Sequence, residues 1–203
     1  MSFRYKFSVV LLVLGIIAAI MSFNGKKSSY LPPDDILAEL LKGDFLISAD
    51  ELARMLVDQD SGVQIVDIRH PDQYKTACLP GAVNLPLENL LLVENESLFG
   101  EGVAKTVFYA DDELLSREAW ILAMQKGYLN LFVLKGGLAE WNQIVMDSEF
   151  TGEKITAQEN ALFEKRYKAR RLYAQWNAMP DSLKTGFFEL KRVKDRELVG
   201  GCE

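Results

Sequence analysis

Cysteine and histidine are scarce in this chain, which has 2 cysteines and 1 histidine among 203 residues. The two thiols, Cys78 and Cys202, are too few for a disulfide framework, and neither belongs to a Cys-x-x-Cys pair. Zinc and iron–sulfur sites need clusters of such ligands, so the sequence predicts no metal and no cofactor. A Ser–His–Asp triad would have to use His70, which has no nucleophile-elbow pattern beside it and is expected at the rim of a turn.

Basic side chains are few in the middle of the chain. Residues 31–153 contain 8 basic and 22 acidic side chains, a net charge of −14. Residues 1–30 and 154–203 each carry a net charge of +4. Nucleic-acid binding needs a basic face that neutralises phosphates, so the acidic central region excludes nucleic acid as the expected partner.

Long apolar runs are absent except at the amino end, where residues 7–23 are 17 residues without a charge. As a helix this segment would span roughly 25 Å, against a hydrocarbon core of ~30 Å, and snorkelling of Lys6 and Lys26 could close the difference. A cleaved signal peptide is the alternative, but residues 18–22 offer only poor cleavage sites. We expect an uncleaved membrane anchor.

The basic residues around this segment also predict its orientation. The amino terminus with Arg4 and Lys6 outweighs Lys26 and Lys27, which keeps the N-terminus in the cytoplasm. We therefore expect a bacterial inner-membrane protein whose domain faces the periplasm. The expected organisation is an anchor or signal segment with linker at 1–29, one domain at 30–150, and a basic helical extension at 151–203.

Hydrophobic periodicity within the central region alternates between strands and helices. Strands are predicted at 45–47, 63–68, 83–85, 106–109 and 131–134, and helices at 36–41, 49–57, 88–92, 114–125 and 138–145. Ser48 and Glu51 predict a capping box for the second helix. Such alternation is typical of an α/β fold with a parallel sheet, helices on both faces, and a binding crevice at the carboxyl ends of the strands.

Three motifs in this region, at this order and spacing, resemble the rhodanese (sulfurtransferase) domain over about residues 45–147. The first is Asp67-x-Arg69 followed by the turn Pro80-Gly81-Ala82. The second is the strand and loop at 107–116, and the third is the turn Gly136-Gly137 followed by a helix with Trp141. The resemblance implies a single rhodanese-like domain, with Asp67 and Arg69 supporting the active-site loop and Trp141 in the core.

The same resemblance implies that the catalytic nucleophile is missing. The family loop Cys-x-x-Gly-x-Arg-Ser falls on Ala110, Asp111, Asp112, Glu113, Leu114, Leu115 and Ser116. Alanine replaces the cysteine, glutamate the glycine, and leucine the arginine that attracts an anionic donor. A register slip of one residue would put Tyr109 or Asp111 at the nucleophile position, and neither is a thiol.

The loop residues have structural and functional interpretations. Asp111, Asp112 and Glu113 favour the N-terminus of a helix by ~0.3–1 kcal/mol each and would repel an anionic sulfur donor. Calcium binding by these acids is the alternative to helix capping. Ser116 lacks a base that would make it a nucleophile, so we expect a residue in the first helical turn. Cys78, where the family has histidine, is expected to be a half-buried apolar residue, with a redox role as the alternative.

The C-terminal extension is predicted to begin with a helix over 157–176 that carries interleaved basic and aromatic side chains. Its aromatic side could pack on the domain, lie on an anionic membrane surface, or bind an acidic protein surface. We expect packing, with Arg166 either snorkelling to solvent or meeting an acid of the domain, and with Lys165, Lys168 and Arg171 exposed.

These observations predict a membrane-anchored, rhodanese-like module that binds or scaffolds and does not catalyse sulfur transfer. A protein partner would use the acidic crevice or the basic C-terminal helix. The alternative is a sulfurtransferase or sulfur carrier that uses Cys78 or Cys202 as its thiol.

Overall fold

The computed structural model describes residues 31–60, 62–99, 104–149 and 156–187, all within the compact unit Leu31–Glu203. The predicted anchor at 7–23 and Cys202 lie outside the described residues. Within the described ranges, no helix is both long enough and apolar enough to cross a membrane.

The described chain alternates helices and strands. The helices are α1 (Pro33–Lys42), α2 (Ala49–Asp58), α3 (Pro71–Thr76), α4 (Glu113–Gln125), α5 (Gly137–Trp141) and α6 (Ala157–Ala178). The strands are β1 (Leu46–Ile47), β2 (Val63–Asp67), β3 (Val83–Asn84), β4 (Lys105–Tyr109) and β5 (Leu131–Leu134). Two 3-10 helices span Leu87–Asn89 and Val93–Phe99, a π-helix spans Asn142–Met146, and residues 181–187 are helical.

The five strands form one sheet in the order β1-β5-β4-β2-β3, and every neighbouring pair is parallel. Central strand β4 pairs Val107 with Ile65 of β2 and with Phe132 of β5. Parallel strands need crossover connections, which the helices between them supply. The predicted α/β fold with a parallel sheet is confirmed.

Side chains of β4 point alternately to two hydrophobic cores. Val107 and Tyr109 belong to the first core, which α2, α5 and α6 cover. Phe108 and Ala110 belong to the second core, which α1 and α4 cover. The sheet is therefore buried on both faces, and the carboxyl end of β4 leads directly into the loop at Ala110.

Two of the predicted helices differ in the structure. The helix predicted over 88–92 is instead a short 3-10 helix over Leu87–Asn89 followed by a turn, with an N–H···O bond from Leu90 to Leu87. The helix predicted over 138–145 is α-helical only to Trp141. A π-helix then follows, and the Val145 carbonyl accepts hydrogen bonds from Arg170 at 3.3–3.4 Å.

Helix α6 packs on the first core, as predicted, with Ala169 and Trp176 buried. Arg166 donates two hydrogen bonds to the carboxylate of Asp50, at 2.6 and 2.7 Å. The expected exposure of Lys165 was wrong, because Lys165 pairs with Asp58 and is half-buried. Tyr167 on the same helix is 47% exposed.

The helix caps follow local sequence only in part. At α2 the Ser48 hydroxyl accepts from the Glu51 N–H, but the Glu51 carboxylate lies 3.7 Å from Lys105 instead of completing the predicted box. A complete capping box occurs at α6 instead, between Thr156 and Glu159. Two reciprocal bonds thus fix the start of the C-terminal helix.

Candidate functional site

The loop that follows β4 lies beside a buried ion pair between Asp67 and Arg69. Arg69 donates from Nε and Nη2 to the Asp67 carboxylate, at 3.0 and 2.7 Å, and also from its backbone N–H. Asp67 is fully buried and Arg69 is 7% exposed. Burial alone would lower the pKa of Arg69, but the hydrogen bonds and charge of Asp67 outweigh it and raise that pKa.

Arg69 also joins this pair to the loop. Its Nη1 donates to Oδ1 of Asp111 at 2.9 Å, and its Nη2 donates to the Ala77 carbonyl at 2.7 Å. The Gln73 amide donates to the other Asp111 oxygen at 2.6 Å. Both carboxylate oxygens of Asp111 therefore accept hydrogen bonds, one from Arg69 and the other from Gln73. Sequence reasoning missed Gln73, because the two residues lie 38 positions apart and no local pattern links them.

Ala110 belongs to the second core and is only 2% exposed. The turn after β5 packs directly against it, with Leu138 N–H donating to the Ala110 carbonyl at 2.9 Å. Gly137 has a φ of 60°, and a Cβ there would lie 2.8 Å from the Ala110 carbonyl oxygen and 2.7 Å from the Asp112 carbonyl carbon. Only glycine permits this approach, so the loop and the Gly136-Gly137 turn form one packed unit.

The remaining acids of the loop also have partners. Asp112 is the N-cap of α4 and accepts from the Leu114 N–H at 2.9 Å. Glu113 accepts from the Gly136 N–H at 2.7 Å with one oxygen and from Arg117 Nε at 2.6 Å with the other. Arg69 and Arg117 thus compensate two of the three carboxylates. The expected electrostatic repulsion of an anionic donor is correspondingly smaller than the sequence implies.

The other loop positions offer no reactive group. Leu114 is 68% exposed, and Leu115 packs against the second core. Ser116 is buried in the first turns of α4, and its hydroxyl donates to the Asp112 carbonyl at 3.4 Å. His70 is exposed at the N-cap of α3 and lies 3.4 Å from Asp72.

Cys78 is buried beneath the C-terminal extension and is 2% exposed, more than the half-burial predicted. Its Sγ accepts a hydrogen bond from Trp176 Nε1 at 3.3 Å. Asn177 pairs with its backbone from both sides, accepting from the Cys78 N–H and donating to the Cys78 carbonyl, each at 3.0 Å. Burial raises the pKa of the thiol, although Trp176, Lys184 and Tyr74 act in the opposite direction. A neutral, covered thiol is a poor nucleophile.

Within the described ranges, no three His, Cys, Asp or Glu side chains are placed to hold a metal ion. The structure brings Asp67, Arg69 and Asp111 together around the loop that follows β4. Such a surface can accept or donate hydrogen bonds. The methyl group of Ala110 supplies no nucleophilic atom at its position.

Comparisons with known proteins find a matching family model and several similar proteins. The rhodanese-like domain family model matches residues 48–144. A protein of Allochromatium vinosum named sulfurtransferase is 30% identical over 95 residues, which cover 47% of this chain and 85% of that protein. The thiosulfate:glutathione sulfurtransferase of Saccharomyces cerevisiae is 25% identical over 104 residues, 46% of this chain and 75% of that one. The solution structure of a rhodanese-like domain from Anabaena sp. aligns with a TM-score of 0.42 and 23% identity, covering 56% of this chain and 89% of that one.

Proposed function

Because this chain belongs to the rhodanese-like domain family, we propose that it is a binding or scaffold module that does not transfer sulfur through the loop after β4. The observation that carries this proposal is Ala110, at the loop position where the family places its nucleophilic cysteine. A methyl group cannot attack a sulfane sulfur or hold a persulfide. Its 2% exposure also leaves a donor little open approach to this position.

The contacts that Arg69 and Glu113 make around the loop support the same proposal. Arg69 has both Asp67 and Asp111 as partners, so its guanidinium is occupied and not directed at a ligand. Glu113 replaces the family glycine and uses its carboxylate to fix the neighbouring turn through Gly136. These contacts stabilise the loop as a structural element, which suits a module that binds a partner with a rigid surface.

The partner of this module is proposed to be a protein that contacts the acidic crevice or the basic helix α6. The side chain of Asp111 remains 58% exposed beside the ion pair, and Asp112 is exposed next to it. These carboxylates favour a basic partner segment at the crevice. The net charge of −14 over residues 31–153 likewise favours a basic protein partner and disfavours nucleic acid.

We further propose that residues 7–23 anchor the protein in a bacterial inner membrane, with the domain in the periplasm. The support is the uncharged run of 17 residues with basic residues on both sides. Alkaline carbonate washing of membranes should leave the full-length chain in the pellet. A shortened soluble form would instead identify the segment as a cleaved signal peptide. A reporter fused after Glu203 that is active only in the cytoplasm would overturn the orientation.

The experiment that tests the loss of sulfur transfer chemistry is sulfur loading. The full-length chain is incubated with thiosulfate, and its intact mass is measured with and without a reductant. We expect no reductant-sensitive gain of one sulfur atom on the wild-type chain. The matched controls are Cys78→Ser and Cys202→Ser, which should have the same mass behaviour as the wild type.

A sulfur carrier that uses Cys78 is the second candidate function, and one observation favours it. The Cys78 sulfur accepts from the Trp176 indole N–H, and the charge of Lys184 favours its thiolate. The burial of Cys78 opposes this role. A sulfur adduct that disappears in Cys78→Ser would support the carrier and overturn the proposed inactive module. Cys202, the other candidate thiol, lies outside the described residues.

A further inference from the structure

A shallow groove of about 290 Å³ runs between α2 and α6 on the first face of the sheet. Its floor is aliphatic, formed by half-buried Leu56, Val57 and Leu172. Lys168 and Arg171 line the same groove and are exposed. An aliphatic floor with cations beside it fits a segment that combines aliphatic and acidic side chains.

The cations of α6 divide into two sets. Lys165 and Arg166 pair with Asp58 and Asp50 of α2 and so dock the helix. Lys168 has only its exposed neighbour Glu164 on the same helix, and Arg171 forms no ion pair within the described part of the chain. Exposed pairs within a helix contribute only about 0.3–0.5 kcal/mol, so Lys168 exchanges this partner readily. The two groove cations are therefore available to an incoming carboxylate.

A segment of the required composition is exposed on the opposite face. Residues 91–96, here called the acidic segment, read Leu-Leu-Val-Glu-Asn-Glu. Leu91, Leu92 and Val93 are 38%, 44% and 78% exposed, and both Glu94 and Glu96 are exposed. Three consecutive exposed aliphatic residues are unusual on a monomer surface and mark interaction sites. The flanking carboxylates repel an anionic lipid surface, so a membrane is disfavoured as the partner of these aliphatic residues.

We propose that the groove between α2 and α6 of one chain binds the acidic segment of a second copy of this chain. The groove and the acidic segment are complementary in charge and in apolar character, and both lie unpartnered among the described residues. Leu90, which precedes the segment, is buried in the second core, whereas Leu56, Val57 and Tyr173 pack on the first. The two surfaces thus lie on opposite faces of the sheet. Association is head-to-tail, and it produces open chains or closed rings instead of a two-fold dimer.

The contact is small, so the association is weak and is best detected by site-specific crosslinking in cells. Two differently tagged full-length chains are co-expressed, one with Val93→Cys and one with Gln175→Cys, which places a thiol in the groove. Both also carry Cys202→Ser, so that the only other cysteine is buried Cys78. Mild oxidation should give a reductant-sensitive heterodimer. Either chain expressed alone should give none, because a head-to-tail contact pairs Val93 only with Gln175.

Charge reversal tests whether Arg171 in the groove pairs with a carboxylate of the acidic segment. Arg171→Glu in the Gln175→Cys chain should reduce the heterodimer by roughly fivefold or more. Glu94→Arg in the Val93→Cys chain should then restore it. The matched position control replaces Val93→Cys with Glu118→Cys, an exposed site on α4 of the same face but outside the acidic segment, and should not crosslink.

Three outcomes would overturn the proposal. One is a heterodimer of equal yield from Glu118→Cys, which would indicate random collision. Another is a heterodimer that is insensitive to Arg171→Glu, or that Glu94→Arg fails to restore. The last is no heterodimer at all, which would leave the groove to an acidic segment of a different protein. This proposal does not depend on whether the loop at Ala110 is catalytic.

Discussion

Arg69 donates from Nη1 to the Oδ1 atom of Asp111 at 2.9 Å and thereby ties the loop after β4 to the buried carboxylate of Asp67. The resemblance to the rhodanese-like family predicts that this loop begins at the position of the family's sulfur-carrying cysteine. Ala110 at this position is buried, and the acids that follow it bond to neighbouring residues. These contacts hold the loop in place, as the proposed binding module requires.

Gly137 tests how tightly this surface is packed. Gly137→Ala places a methyl group within 2.8 Å of the Ala110 carbonyl in addition to its left-handed strain. We expect a loss of unfolding free energy of about 2–4 kcal/mol, measured by urea denaturation. The control is Gly43→Ala, which has a φ of 73° but no atom within 4 Å of the added methyl, and should cost only about 1 kcal/mol. Equal losses for the two variants would contradict the packing argument.

Trp176 tests whether the C-terminal extension belongs to the fold. It is 4% exposed and contacts Cys78 from α6, so Trp176→Ala should lower the unfolding free energy by about 3–5 kcal/mol. The control is Tyr167→Ala on the same helix, whose side chain is 47% exposed and whose loss should cost under about 1 kcal/mol. Thiol labelling of Cys78 should also accelerate in Trp176→Ala, because its cover is removed. A stability equal to that of the wild type would favour the membrane or partner interpretation of α6.

Buried tyrosines predict a loss of stability at alkaline pH. Burial raises the pKa of Tyr109 well above its usual 10.0, with the charge of Asp67 acting in the same direction, and burial also raises that of Tyr74. The unfolded chain loses these protons first, so the stabilisation is complete below pH 10.0 and declines as pH rises above it towards the folded-state pKa values. Urea denaturation across this range should show a shallower decline in Tyr109→Phe. An identical decline in the variant would assign the effect to other groups.

The sequence was sufficient for the sheet and for the motifs, because both depend on local patterns. Apolar runs identified the buried strands, and Asp67, Arg69 and the Gly136-Gly137 turn marked the loop region. The pairing of Asn177 with Cys78, 99 residues away, left no local signal, since it depends on where α6 docks. The short apolar run near Leu90 did not distinguish the 3-10 helix over Leu87–Asn89 from an α-helix.

The charges of the loop show a further limit of sequence reasoning. Three consecutive acids indicate strong repulsion of an anion when they are counted alone. The structure places Arg69 against Asp111 and Arg117 against Glu113, which reduces that repulsion. Ala110 therefore supports the proposed loss of sulfur transfer more strongly than the charge of the loop does.

The transfer of sulfur from thiosulfate to cyanide by the full-length chain tests the central claim most directly. The rate is compared with a protein-free control and with Ala110→Cys, Cys78→Ser and Cys202→Ser. We predict that the wild type does not exceed the protein-free rate, and that Ala110→Cys alone gains little, because its thiol would replace a side chain that is only 2% exposed. Wild-type turnover that Cys78→Ser or Cys202→Ser abolishes would contradict the account and identify the chain as a sulfurtransferase with a relocated thiol.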